Sequence, residues 1–193
     1  MSGLRRFAQW GLWFGGALVL LAAVLIGIDV LMRKFLDRSI GGADELAGYA
    51  LAIGTAWGLG AALLDRAHIR IDSLYVLFPQ KLRLTLDIVA LVLFVSFFAL
   101  TLWHGLGVVS QSWISESRSQ SALETPTIIP QVLWIAGLAS FVLVGLVLLI
   151  HALRVGLSGD LRGMAQLIST RSAEEEVEDE IRDLKNRQVG GGN

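Results

Sequence analysis

Four stretches of this chain are long enough to cross a lipid bilayer and contain no Asp, Glu, Lys or Arg. They run Phe7–Ile28, Leu46–Leu64, Ile88–Ser115 and Thr125–Leu153. A hydrocarbon core of ~30 Å needs about 20 apolar residues in a helix rising ~1.5 Å per residue. Inside lipid the backbone must satisfy its own hydrogen bonds, which leaves helices for runs of this kind. The last two stretches exceed the requirement, so their ends tilt or emerge. Only 17% of the 193 residues are charged and 54% are hydrophobic, against about 25% charged and 45–50% apolar in soluble domains. The chain therefore reads as an all-α polytopic membrane protein with four transmembrane helices. Residues 1–155 form the membrane domain and 156–193 a tail. The first stretch is too long for a signal peptide and reads as a retained helix.

Lys and Arg set the expected orientation. With the N-terminus inside, twelve of them fall on the cytoplasmic side and four (Arg33, Lys34, Arg38 and Arg118) outside, which favours N-in and C-in. The tail is then cytoplasmic. It is acidic, with Ser172 and Glu175 spaced as a capping box, and reads as a solvated helical or disordered segment. Pro79 suits the first turn of the third helix. The segment from Gln111 to Thr127 reads as a solvated outer loop.

Catalysis or cofactor binding would need polar groups converging at one depth. His104 and His151 fall near opposite faces, roughly 25–30 Å apart at ~1.5 Å per residue. They cannot share a haem or a metal. The chain has no cysteine, and no nucleophile has a neighbouring base. With a net charge of −1 there is no basic field for nucleic acid. No enzymatic activity and no cofactor are expected. A membrane anchor or haem-bearing subunit of a redox complex is the alternative from another class.

The ionisable residues near the spans are few. Asp29 and Arg33 stand one turn apart at the outer end of the first helix. Glu45 opens the second helix, where a carboxylate meets the positive end of the helix dipole. Asp87 lies in the first turns of the third. All of these suit structural or interface roles better than proton transfer. Gly54 and Gly58 form a G-x-x-x-G face on the second helix, and Gly11 and Gly15 do so on the first. Such faces let backbones approach closely, either within the chain or against another subunit. Trp10, Trp13 and Trp113 read as headgroup anchors.

Taken in order, these residues carry a resemblance. Asp29-Val-Leu-Met-Arg33 is followed by Glu45-Leu46, then Gly58, then His68-Ile-Arg70-Ile-Asp72, then Pro79 and Leu86-Asp87. The series resembles the small membrane subunit family of tripartite ATP-independent periplasmic (TRAP) transporters, whose most specific element is the His-Ile-Arg-Val-Asp-like loop. The family often has an aromatic or proline just before the glutamate, where this chain has Gly41-Gly42-Ala43-Asp44. The resemblance implies a multi-pass protein of the bacterial inner membrane. It implies a large multi-helix permease subunit and a periplasmic substrate-binding protein as partners. It further implies sodium-coupled uptake of a carboxylate-bearing solute, with this chain as scaffold and docking surface. Asp29, Arg33, Glu45, Gly54, Gly58, His68, Arg70, Asp72, Pro79 and Asp87 are the candidate structural or interface residues.

Overall fold

The computed structural model describes residues 2–66, 78–168 and 181. Five helices are seen among them: α1 (Ser2–Leu36), α2 (Ala43–Leu64), α3 (Gln80–Ile114), α4 (Ile128–Leu157) and the short α5 (Leu161–Ile168). The first four are long and apolar enough to cross a membrane, as the charge-free stretches predict. Each outruns its stretch at one end or both. The 35 residues of α1 span about 52 Å at ~1.5 Å per residue, so its charged ends extend past the hydrocarbon core.

Boundaries follow local chemistry. Pro79 stands just before α3, with extended backbone at φ −64° and ψ 149°. Its carbonyl accepts the amides of Leu82 and Arg83 at 2.9 and 3.1 Å, one residue from the expected first-turn position. Pro130 lies in the first turn of α4, where a missing N–H costs nothing. Between α4 and α5, Asp160 caps the short helix by accepting the Gly163 amide at 2.8 Å. Met164 and Ile168, one turn apart on α5, are buried in the same core as Leu84 and Leu148. The Ser172–Glu175 capping box lies outside the described residues.

The four long helices stand in a row rather than a closed bundle. α2 packs on α1 and on α4, and α4 packs on α3; α1 only brushes α4. The order in space is thus α1, α2, α4, α3. α4 is the most buried of the four and α1 the least. Phe141, Val144 and Ala152 on α4 have at most 1% exposure. Phe94 and Phe98 of α3 meet Phe141 edge-on, with centroids 5.4 and 4.6 Å apart.

Small residues set the spacing of the row. A Cβ on Gly15 would lie 2.4 Å from the Gly54 carbonyl oxygen, and one on Gly54 would lie 2.8 Å from that of Gly15. Gly11 is equally tight against the Trp57 carbonyl, at 2.8 Å. The glycine faces of α1 and α2 therefore meet each other inside the chain. Gly58 is not part of that seam, because its nearest neighbour would be Leu12 Cδ1 at 3.7 Å, an ordinary contact. Trp57 bolts three helices together. Its Nε1 donates to the Leu133 carbonyl of α4 at 3.0 Å, and Phe14 of α1 meets its ring edge-on at 5.5 Å. Gly137 of α4 leaves room for it, since a Cβ there would come within 2.8 Å of Trp57 Cδ1.

The seam gives a direct test. Gly15→Ala or Gly54→Ala should destabilise the chain by ~1–3 kcal/mol, the usual cost of overpacking. Gly58→Ala should stay within ~0.5 kcal/mol. Thermal melting of the detergent-solubilised chain measures both, and equal losses at Gly54 and Gly58 would contradict the arrangement.

Candidate functional site

The polar residues singled out in the sequence gather where α1 turns into α2. Asp29 sits two turns before the end of α1 and has no exposed area. Arg33, one turn on, donates to its Oδ2 through Nε at 2.6 Å and also through Nη2. The other carboxylate oxygen, Oδ1, accepts the Ser39 hydroxyl at 3.0 Å and the Ile40 amide at 2.6 Å. A single side chain therefore holds both the last turns of the helix and the connection leaving it. The Arg33 guanidinium also lies 3.7 Å from Asp44 on α2, a far more exposed pair.

Glu45 does the corresponding work on α2. Tyr49, one turn later, donates its hydroxyl to Oε1 at 2.7 Å. Ser121, on the connection between α3 and α4, donates to Oε2. That connection, residues 115–127, is an ordered loop. The Ser119 amide donates to the Thr125 carbonyl at 2.9 Å and the Thr127 amide to the Ser117 carbonyl at 3.0 Å. Ser119 Oγ accepts the Thr125 amide and Ser121 Oγ accepts the Leu123 amide, both at 3.1 Å.

The loop lies over the α1–α2 turn. Gly42 has a φ of +87°, and a Cβ there would lie 2.4 Å from the Leu123 side chain. Glycine is thus required twice, for the left-handed backbone and for the space beneath Leu123. This accounts for the glycine at position 42. Asp29, Arg33, Ser39, Glu45, Tyr49 and Ser121 form one clasp that joins both connections at this end. Its carboxylates are committed to structural hydrogen bonds.

The other candidates are scattered. Asp87 on α3 has no exposed area and lies near the start of its helix, the end away from the loop that reaches Glu45. Arg83, one turn before it, donates through Nε to the Phe78 carbonyl at 2.6 Å. Gly54 faces Gly15 across the inner seam, and Gly58 is half-buried beside Leu12. His68, Arg70 and Asp72 lie outside the described residues. His104 and His151 sit late on two consecutive helices that run in opposite directions, and so toward opposite ends of those helices' length. Among the described residues, no three His, Cys, Asp or Glu side chains are grouped to hold a metal. The sequence reading passed over Ser39, Tyr49, Trp57 and Ser121. Tyr49 was within reach, being one helical turn from Glu45. Ser121 was not, because nothing local distinguishes it from the other loop serines.

A family model described as "Tripartite ATP-independent periplasmic transporters, DctQ component" matches residues 10–155, about three quarters of the chain. Comparisons with curated proteins and with solved structures give no match.

The clasp predicts unequal effects from neighbouring carboxylates. Glu45→Leu should lower the melting temperature and speed proteolytic cleavage within residues 115–127. Asp44→Leu, whose native side chain is 82% exposed, should leave both nearly unchanged. Limited proteolysis with mass readout would decide it, and equal cleavage in the two variants would remove Glu45 from the role.

Proposed function

Because the chain belongs to the DctQ component family of TRAP transporters, and is thus a small membrane component of such a system, we propose that it acts as a scaffold. It holds the large multi-helix permease subunit in place and offers a docking surface to a periplasmic substrate-binding protein. The solute, a carboxylate-bearing compound moved with sodium, passes through the large subunit. The chain resides in the bacterial inner membrane with both ends in the cytoplasm, so the clasp faces the periplasm.

One observation carries this reading. The helices form an open row, held rigid by the Gly15–Gly54 seam and clasped at one end. A row leaves its long faces uncovered. Leu20, Leu21, Leu93 and Phe97 are each more than 60% exposed. Helices in lipid have little hydrophobic reason to stay together, so a stiff row with broad uncovered sides suits a platform for other helices. Exposed Glu116 and Glu124 on the 115–127 loop provide charges that an incoming protein can meet.

Reconstitution tests the reading. Liposomes holding this chain with the large subunit, supplied with the binding protein, should take up solute, while liposomes holding either membrane subunit alone should not. Uptake by the large subunit alone at the full rate would exclude an essential scaffold. Glu116→Lys combined with Glu124→Lys should reduce uptake several-fold at low binding-protein concentration and recover at high concentration, since charges at the rim of an interface act mainly on association. Co-purification of the two membrane subunits should be unaffected. A reporter fused at Ser117 should register as periplasmic and one after Asn193 as cytoplasmic, and the reverse labelling would overturn the orientation.

A further inference from the structure

Two hollows between α3 and α4 line up along the same pair of helices. Leu100, Val108 and Val109 of α3 and Trp134 of α4 are among the walls of the deeper one. The outer one, of about 330 Å³, is walled by Ser112, Trp113 and Glu116 of α3, by Arg118 on the following loop and by Ile128 of α4. Along α3 the lining runs from Thr101 through Gly105, Val109 and Ser112 to Glu116. Those steps of three and four keep to one helix face, so the hollows are stacked sections of a single furrow.

The two sections differ in chemistry. The deeper one is mainly apolar. From Val109 down to Leu100 is about 14 Å of helix, close to the ~15 Å of one leaflet, half of a ~30 Å core. The outer section holds one cation and one anion. Among the described residues neither Arg118 nor Glu116 takes part in an ion pair. Arg118 donates through Nη1 to the Glu124 carbonyl at 3.3 Å, and a guanidinium has further donors. Ser112 is 9% exposed, and among the described residues its hydroxyl makes no hydrogen bond, an uncommon state for a buried polar group. Trp113 is 70% exposed, which suits an indole at the level of the headgroups.

A ligand that matches both sections has a positive and a negative group at one end and a long apolar chain at the other. We propose that the furrow binds a phospholipid with a zwitterionic, primary-amine headgroup, in the leaflet on the side of the clasp. Arg118 takes the phosphate, which a planar guanidinium recognises well, and the Ser112 hydroxyl donates to a phosphate oxygen. Glu116 accepts from the ammonium. One acyl chain lies in the deeper section against Leu100, Val108 and Val109. A lipid of net negative charge brings no cation to Glu116, and a quaternary ammonium has no N–H to donate. The site does not depend on the scaffold reading, because its ligand comes from the bilayer itself.

The test uses the full chain purified in detergent, with phosphatidylethanolamine, phosphatidylcholine or phosphatidylglycerol of identical acyl chains added and bound lipid read by native mass spectrometry. Phosphatidylethanolamine should be retained at several-fold higher occupancy than the other two. Arg118→Ala should lower that occupancy several-fold, and Glu116→Gln should bring it down to the level of phosphatidylcholine. Both side chains are exposed, so neither change threatens the fold. A phosphatidylethanolamine with a photoreactive group midway along one chain should label the peptide that spans Leu100 to Val109. Equal occupancy of the three lipids, unchanged occupancy in both variants, or labelling centred on Leu20 and Leu21 of α1 would overturn the proposal. So would displacement of the bound lipid by phosphoethanolamine without chains, which would mark a site for a soluble zwitterion.

Discussion

The contact between the Gly15 and Gly54 backbones determines where every other helix in the row can stand. Lipid tails are as apolar as leucine, so burying side chains gains these helices little against one another. What remains is close packing and the polar contacts made as two backbones approach. At 2.4–2.8 Å from a partner carbonyl, a methyl group at either position has no room. This closeness fixes α2 against α1, and α2 then presents Trp57 to α4. The indole N–H reaches a carbonyl of α4 because Gly137 has no side chain to obstruct it. One small-residue seam is in this way relayed across the row by one large side chain.

At the clasp the same economy appears with charge. A carboxylate in lipid is costly unless hydrogen-bonded, and both Asp29 and Glu45 stand near helix ends with their oxygens engaged. Asp29 gathers a guanidinium, a hydroxyl and a backbone amide. Glu45 gathers two hydroxyls from different parts of the chain. The outcome is mechanical: a turn and a loop that would otherwise move independently are bound to the helices beneath them.

Much of this was legible in the sequence. The four spans were, because hydropathy over 20 residues reports directly on what lipid permits. The pairing of Asp29 with Arg33 was also readable, since residues four apart share a helix face. Pro79 marked the start of α3 to within one residue. The long-range contacts were not. That Glu45 meets Ser121, 76 positions away, depends on a loop path that no local pattern encodes. The two glycines of α2 look alike in the sequence, yet Gly54 is in the seam and Gly58 is beside it. What separates them is how α2 lies against α1, with Gly54 on the Gly15 backbone and Gly58 beside Leu12. The open row was hidden for the same reason, because four apolar helices with small-residue faces read equally well as a closed bundle.

Order in space differs from order along the chain, and this has a consequence for biosynthesis. α1 and α2 are neighbours in both, so the first hairpin can seal its glycine seam as soon as it is made. α3 is made next, but its neighbour is α4. It must wait in the bilayer, with Leu84, Leu91 and Val95 facing lipid, until α4 is inserted between it and the hairpin. The last span is thus a wedge, and the aromatic cluster around Phe141 closes only when the wedge is home. Loop 115–127 leads directly into that wedge, so the clasp at Glu45 can form only once the final helix is entering. A released chain lacking everything from residue 128 onward would hold the first hairpin and an α3 without its neighbour.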